Sequence, residues 1–280
     1  MIDIIIPSFN DLRIIRTISS IRVNKSYNLT KLIIIDGGSN ESLLRLIRPL
    51  LRDTDFLISE NDNGIFDALN KGLNSSKSEF IYWLGSDDFI NVNYDFDNAI
   101  AIFKKDSGIH GICYKTLFFN DFNITRSLFI KNASLNRYKL GFHLPHFSTI
   151  WRRSSIGDLR FDLEYRISSD YDFFFKLFKS NSVNVKCINQ VMVFMQEGGN
   201  STKGLKQRWK GLKDVSKIHY KNTSSIPLTI LAIFNRYFYK TLNLFNKSNT
   251  KKSSIVRQLS DILIETKIFN EKSINYNNKL

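Results

Sequence analysis

Residues 79–89 read EFIYWLGSDDF. The run from Phe80 to Leu84 is apolar without interruption, which is the pattern of a strand buried on both faces. Two adjacent carboxylates, Asp87 and Asp88, come soon after it. Like charges side by side repel each other, and a divalent cation relieves that repulsion. The stretch therefore predicts a buried strand that leads into an acidic pair able to hold Mg²⁺ or Mn²⁺. A solvated turn or a helix cap is the alternative.

Three other apolar runs precede this strand, at residues 2–6, 31–35 and 56–59. Helical patterns separate them, so strand and helix alternate along the first ninety residues. We expect Asp11 to cap the first helix and Gly72 to end the third. The alternation predicts an α/β fold with a doubly wound, mostly parallel sheet flanked by helices.

Polar groups follow all four strands of this predicted sheet. In such sheets, ligands bind beyond the carboxyl ends of the strands. The loops that carry these polar groups are Pro7-Ser-Phe-Asn10, Asp36-Gly-Gly-Ser39, Glu60-Asn-Asp62 and Asp87-Asp88. Taken singly, Asp36 also fits a turn acid, and Lys71 fits a surface pair with Asp67. Four such loops on one edge predict a ligand site. Neither a Rossmann G-x-G-x-x-G motif nor a P-loop is present.

The net charge of +14 is concentrated in the last eighty residues, which carry sixteen Lys or Arg and four acids. This asymmetry predicts a nearly neutral body, residues 1–202, joined to a basic, mostly helical appendage, residues 203–280. No signal peptide is recognisable at the first residues. The two cysteines, Cys113 and Cys187, lie in apolar surroundings, which predicts buried free thiols of a reducing compartment, with a disulfide as the alternative.

Six motifs of the first 202 residues are specific when taken in order. They are IIIPSFN, IIIDGGSNES, ISENDNGIFDALNKG, YWLGSDD, HFSTIWRRS and SSDYDF. In this order they resemble the family 2 glycosyltransferases of the GT-A fold, above all the bacterial enzymes of capsule, O-antigen and exopolysaccharide assembly. Two departures stand out: LGSDD replaces the more usual LNSDD, and PHFS stands where a His-Gln pair is common.

The resemblance implies roles for individual residues. On the nucleotide-sugar side, Pro7, Phe9 and Asn10 would line the base pocket, Asp36 would contact the base or ribose, and Asp62 and Lys71 would complete the site. Asp88 would be the direct metal ligand, with Asp87 towards the ribose or sugar.

On the catalytic side, the resemblance implies that Asp170 is the general base, with a helix cap as its alternative and Asp172 as the neighbour to exclude. His146 would lie at the acceptor or donor-sugar edge, and Gly198 and Gly199 in a loop that closes over the diphosphate.

The resemblance thus implies an inverting, metal-dependent glycosyltransferase of hexosyltransferase type. It would use a nucleoside-diphosphate sugar, with UDP as the expected nucleotide, and a lipid-linked oligosaccharide acceptor in capsule, O-antigen or other lipopolysaccharide synthesis. Two other functions stay open: a sugar-nucleotide nucleotidyltransferase, and an inactive paralogue that binds nucleotide sugars.

The appendage points to an anionic partner. Residues 226–247 are nearly apolar, but Arg236, Lys240, Asn243 and Lys247 recur at helical spacing. Charges at these positions disfavour a membrane span and favour a helix lying in the membrane surface. We therefore expect a cytoplasmic protein held peripherally on the inner face of the membrane. A helix packed on the body or a homodimer contact is the alternative, and no nucleic-acid motif is present.

Overall fold

The computed structural model describes residues 1–120, 123–180, 182–197 and 205–245. Its first part alternates strand and helix as predicted. The elements are β1 (Ile2–Ser8), α1 (Ile14–Arg22), β2 (Thr30–Asp36), α2 (Glu41–Ile47), β3 (Phe56–Ser59), α3 (Ile65–Ser75) and β4 (Phe80–Trp83). All of β1 and all of β4 are buried, which agrees with their continuous apolar sequence.

The later elements vary more in length. They are β5 (Phe89–Ile90), α4 (Phe96–Lys105), β6 (Gly111–Asn120), β7 (Asn123–Leu128), α5 (Leu135–Lys139), β8 (Thr149–Arg152), α6 (Arg153–Ile156), α7 (Ser169–Ser180), β9 (Val185–Gln196), α8 (Leu205–Thr223) and α9 (Ile226–Phe245). A short 3₁₀ turn, His146–Ser148, leads into β8.

One sheet runs through the described residues in the order β3-β2-β1-β4-β8-β6-β9-β5, with β7 paired to β6. The pairs β1–β2, β1–β4 and β2–β3 are parallel. Beyond β4 the sheet is mixed, because β8 runs antiparallel to both β4 and β6. The predicted α/β fold with flanking helices is therefore confirmed, and its parallel part is the half that the amino-terminal motifs occupy.

Apolar side chains pack on both faces of the sheet. One large cluster contains β1, β2 and β4 residues together with α1, α2 and α4. The other contains the opposite face of the same strands together with α3 and α7, and it includes Val215 and Ile218 of α8. Gly72, expected to end a helix, instead lies inside α3 and contacts Ile5, and the helix continues to Ser75.

The helices α8 and α9 lie against the rest of the fold. The buried His219 of α8 is within 2.9 Å of the Lys139 carbonyl oxygen and 3.1 Å of the Thr229 hydroxyl. A Cβ at Gly141 would lie 2.2 Å from the Ala232 carbonyl oxygen, so the backbone of α9 comes directly onto the turn after α5. None of the helices in the described ranges is long and apolar enough to cross a membrane.

Candidate active site

The loops after β1, β2 and β3 meet at the carboxyl edge of the parallel strands. Asp36 is fully buried at the end of β2, where its carboxylate accepts hydrogen bonds from Ser39 N–H (2.8 Å) and from the Ser59 hydroxyl (2.7 Å). The backbone N–H of Asn10 donates to the Ser39 hydroxyl at 2.7 Å. One polar network thus joins three loops.

Asn10 has a left-handed backbone, with φ at 47°. Its side-chain oxygen accepts the N–H of Asn40, the residue that caps α2. Pro7 is buried opposite Ile35 in the sheet, and Phe9 is 63% exposed. An exposed aromatic ring beside a rigid polar loop is suited to contact a planar ligand group.

Asp62 and Lys71 come to the same edge from the third loop and helix α3. A Cβ at Gly37 would lie only 2.7 Å from Oδ2 of Asp62, so glycine is needed for these two loops to touch. Lys71 lies 2.8 Å from Glu60 and donates to the Asn61 carbonyl oxygen at 3.0 Å. Its hydrogen-bonded pair with Glu60 raises the pKa of Lys71, so the ammonium remains charged.

The acidic pair lies in the turn between β4 and β5. Asp88 is 2% exposed, and the Asp87 side chain is 24% exposed. Burial is the main cause that raises the pKa of Asp88 well above its ordinary value, and the charge of Asp87 adds to it. The Gln196 backbone and the cations of Arg16 and Arg13 act in the opposite direction. A carboxylate so placed is stabilised in its charged form by an added cation.

Gly85 allows the two carboxylates to converge. A Cβ at this position would lie 2.8 Å from Oδ2 of Asp88 and 3.1 Å from Oδ1 of Asp87. Both oxygens therefore face the space beside Gly85. The departure from LNSDD to LGSDD has this physical consequence: a side chain at residue 85 would displace one or both acids.

Two arginines contact the pair: Arg13, the residue just before α1, and Arg16, within α1. Nη1 of Arg13 lies 3.3 Å from Oδ2 of Asp87, and Nη2 of Arg16 donates to the Asp87 carbonyl oxygen at 2.6 Å. Asp11 is not the cap residue of α1, which begins after Arg13, although its carboxylate accepts the Arg13 backbone N–H at 3.0 Å just ahead of the helix. Its carboxylate instead binds the Arg13 guanidinium at 2.8 Å and the Ser86 hydroxyl at 3.0 Å. Sequence reasoning missed both arginines, although their spacing of three residues places them on one face of α1.

The donor set fits a divalent cation. Mg²⁺ is commonly held by one or two protein carboxylates together with substrate phosphates, and Asp87 and Asp88 offer two converging carboxylates. Within the described ranges, no group of three His, Cys, Asp or Glu side chains forms a complete metal-holding set. The protein's own ligands would then be these two acids.

Asp170 lies in the first turn of α7, where Oδ2 is 3.5 Å from Nδ1 of His146. That separation is longer than a normal hydrogen bond, and the contact is an ion pair only when the His146 ring is protonated. Burial tends to raise the pKa of Asp170, but His146, His143 and Arg236 together lower it to about 2. Asp170 is therefore an ionised carboxylate over the whole physiological pH range.

Asp172 has a different environment from Asp170. Its side chain is fully buried and lies 2.5 Å from Nζ of Lys176, in the same helix. Its burial raises the pKa of Asp172. The structure thus separates the two acids of SSDYD: Asp170 contacts His146, and Asp172 binds a lysine within the fold.

Tyr82 of β4 connects the acidic pair with His146. Its hydroxyl donates to the Phe147 carbonyl oxygen at 2.7 Å, and Phe147 is next to His146. Burial and the charge of Asp88 raise the pKa of Tyr82. Tyr82 is therefore hydrogen-bonded to the residue after His146 and is also influenced by the charge of Asp88.

Arg236 of α9 also reaches this region. Its guanidinium carbon lies 5.1 Å from the ring centre of Tyr171, which follows Asp170. At Arg236, α9 therefore packs on the body, as in the alternative given for this helix. The side chains of Lys240 and Asn243, all of Lys247, and Gly198 and Gly199 lie outside the described residues.

The fold, with its polar loops at the carboxyl edge of the parallel strands, is that of a known class of enzyme. The fold matches GT-A glycosyltransferases of known structure: Staphylococcus aureus TarS in complex with UDP-GlcNAc has a TM-score of 0.64 at 16% identity over 95% of this chain and 81% of that one. The mannosyltransferase PcManGT of Pyrobaculum calidifontis, in complex with GDP-Man and Mn²⁺, has a TM-score of 0.57 at 13% identity over 94% and 74%. The chain covers 49% of a longer TarS chain.

Residues 3–181 match the model of Glycosyl transferase family 2, and the chain belongs to that family. It is 22% identical over 213 residues to a PGL/p-HBAD biosynthesis glycosyltransferase of Mycobacterium bovis, covering 71% of this chain and 78% of that protein. It is 25% identical over 195 residues to an uncharacterised glycosyltransferase of Rickettsia typhi, covering 65% and 60%. The chain is a glycosyltransferase.

Proposed function

We propose that this glycosyltransferase is inverting and metal-dependent, and that it moves a sugar from a nucleoside-diphosphate sugar to a hydroxyl of a lipid-linked oligosaccharide acceptor. The expected donor nucleotide is UDP, and the expected setting is bacterial surface polysaccharide synthesis. The observation that carries the proposal is the contact of Asp170 with His146 at 3.5 Å, next to Phe147, whose carbonyl oxygen is hydrogen-bonded to Tyr82 of the strand that leads to Asp87 and Asp88.

In the proposed reaction, Asp170 accepts the proton of the acceptor hydroxyl as its oxygen attacks the anomeric carbon. The bond from that carbon to the nucleoside diphosphate breaks in the same displacement, which inverts the anomeric configuration. Reactions at this carbon pass through an oxocarbenium-like state. A positioned general base typically contributes about 10²–10⁴-fold to the rate. His146, whose Nδ1 lies 3.5 Å from the carboxylate, holds it in place.

On the donor side, we assign the base pocket to Pro7, Phe9 and Asn10, the ribose or base contact to Asp36, and the remaining nucleotide contacts to Asp62 and Lys71. Asp88 is the proposed direct metal ligand and Asp87 the ligand nearer the ribose or sugar. A bound divalent cation would offset the charge that develops on the leaving diphosphate. Arg13, which lies 3.3 Å from Asp87, adds positive charge at the same place.

The two alternatives are less well supported. A nucleotidyltransferase is disfavoured by the family match over residues 3–181. An inactive paralogue would be expected to lose Asp88 or Asp170, and this chain keeps both.

We propose that residues 203–280 form the appendage that binds an anionic membrane surface on the cytoplasmic side. Support comes from α9, which exposes an apolar stripe that we define as Ile226, Ile230, Leu231, Phe234 and Phe238, each 41–63% exposed. Four of these residues follow at intervals of four, so they share one face of the helix. The lysines of α8 and the later basic residues provide the attraction to anionic headgroups. A homodimer contact through the same stripe is the alternative.

The test of the proposed function is a screen of nucleoside-diphosphate sugars by thermal shift, with and without Mn²⁺ or Mg²⁺. We expect at least one donor to raise the melting temperature only when the metal is present. A donor effect that is equal with chelator would contradict metal dependence. No response to any nucleoside diphosphate would contradict the assignment as a whole.

A further inference from the structure

The two cysteines of the chain face each other across neighbouring strands. Cys113 of β6 is the register partner of Cys187 of β9, and these two strands run parallel. Paired residues of adjacent strands lie about 4.7–4.9 Å apart and project from the same face of the sheet. Both side chains contact the same apolar cluster, which confirms that they point to one side.

This spacing permits a covalent bond. Disulfides join Cα atoms that are about 4.4–6.8 Å apart, a range that includes neighbouring strands. Both cysteines are free, and Cys113 is buried whereas Cys187 is partly exposed. A disulfide here would need no large movement of either strand.

The two thiols have different environments. Hydrogen bonding with Cys187 and burial raise the pKa of Cys113. The same hydrogen bond lowers the pKa of Cys187, and the charge of Arg137 acts in the same direction. Because thiolates rather than thiols are the nucleophiles, the partly exposed Cys187 is the one suited to attack.

We propose that Cys113 and Cys187 form a redox-active pair that is converted by a hydroperoxide into a reversible intrachain disulfide. The Cys187 thiolate attacks one peroxide oxygen, the O–O bond breaks, and hydroxide leaves, so that Cys187 becomes a sulfenic acid. The Cys113 sulfur then attacks Cys187, the S–S bond forms, and the sulfenic oxygen leaves with the Cys113 proton as water. Two electrons pass from the thiols to the peroxide, and an external dithiol returns them.

The position of the pair connects it to the acceptor side of the site. On its other edge, Cys113 pairs with Thr149 of β8, and the turn His146–Ser148 immediately precedes that residue. The Ser148 hydroxyl donates to the carbonyl oxygen of Tyr114 at 3.0 Å. The thiol chemistry of this pair does not depend on the proposed donor, acceptor or metal.

The test uses the full-length reduced protein and hydrogen peroxide, with intact mass and a peptide map measured after the remaining thiols are blocked under denaturing conditions. We expect the monomer to lose the mass of two hydrogens, a cross-linked peptide to contain both cysteines, and dithiothreitol to reverse the change. Native alkylation before oxidation should label Cys187 faster than Cys113. Since the chain has only two cysteines, the mass loss has one intrachain source.

The variants Cys113→Ser and Cys187→Ser separate the two roles. Cys113→Ser should stop at a sulfenic acid on Cys187, which dimedone traps, whereas Cys187→Ser should resist oxidation. If Cys113→Ser does not fold, the alkylation order in the natural sequence still tests the assignment. The proposal is overturned if both thiols stay reduced while free cysteine is oxidised, if wild type stops at sulfenic acid, or if disulfides form only between chains.

Discussion

Nδ1 of His146 lies 3.5 Å from Oδ2 of Asp170. The two residues are 24 positions apart in sequence and come from a 3₁₀ turn and from the first turn of α7. Their ion pair, with the nearby charges of His143 and Arg236, sets the pKa of Asp170 at about 2. The carboxylate is therefore ionised at physiological pH and can accept a proton.

Asp170→Asn is expected to lower transfer by about 10²–10⁴-fold, because the amide cannot accept the acceptor's proton. Donor binding should be retained, since Asp170 lies on the acceptor side. Product formation and donor-induced thermal shift measure the two effects separately. Asp172→Asn is the matched control in the same helix turn and should keep transfer. Near-normal turnover in Asp170→Asn would exclude this residue as the base.

Asp88→Asn is expected to abolish the metal-dependent part of donor binding, because the buried carboxylate would be replaced by a neutral amide. Asp87→Asn should weaken it less, since Asp87 is more exposed and is paired with Arg13. The measurement is the change in melting temperature caused by Mn²⁺ in the presence of UDP. An Asp88→Asn variant with the wild-type Mn²⁺ response would contradict the assignment, whereas the reverse order of effects would make Asp87 the principal ligand.

The Asp170 ion pair predicts a specific pH dependence of stability. The folded pKa of about 2 is below the unfolded value of 3.8, so this group stabilises the fold above pH ~4 and the contribution is lost as the pH falls towards 2. Urea midpoints of wild type and Asp170→Asn should therefore differ most at pH ~5 and converge as the pH falls through 3. A difference that stays constant over this interval would show that the pair does not depress the pKa.

The apolar stripe of α9 predicts membrane binding. The double variant Ile230→Glu/Phe234→Glu should lose most of its binding to phosphatidylglycerol-containing vesicles, because both side chains are more than half exposed and would be charged. Metal-dependent donor binding should not change. Vesicle co-sedimentation measures the first effect, and Leu163→Glu, at another exposed apolar residue, is the control. If sedimentation is unchanged and the double variant is a monomer where the wild type is a dimer, the homodimer contact is favoured instead.

The amino-terminal half of the fold could be predicted because its signals are local. Apolar runs such as Phe80–Leu84 identify buried strands, and Asn40 caps α2 as its residue type suggests. The mixed half could not be predicted, because β8 is a four-residue strand whose antiparallel pairing with β4 depends on contacts between distant residues. Gly72 was misjudged for the same reason: its packing on Ile5 is a tertiary contact.

In the candidate site, too, some features follow from local sequence and others depend on tertiary contacts. Asp87 and Asp88 follow a strand, so their place on the sheet edge could be inferred, but the arginines that contact this turn come from the residue before α1 and from its first turn. The pairing of Asp170 with His146 and the presence of Arg236 beside Tyr171 depend on how α7 and α9 pack. Helical spacing predicts that Arg236 lies on the polar face of α9. It does not predict the direction of that face, which depends on how α9 packs on the body.

The close contact of α9 with Gly141 has a consequence for acceptor size. Ala232 and Arg236 face the body, while Ile230 and Phe234 face outward, so the helix separates the base region from whatever covers the stripe. An α-helix with its side chains is about 10–12 Å across. If the stripe rests on a bilayer as proposed, the reacting hydroxyl lies near that height above the headgroups. Such a height would set the shortest lipid-anchored acceptor that reaches the site at about one helix diameter.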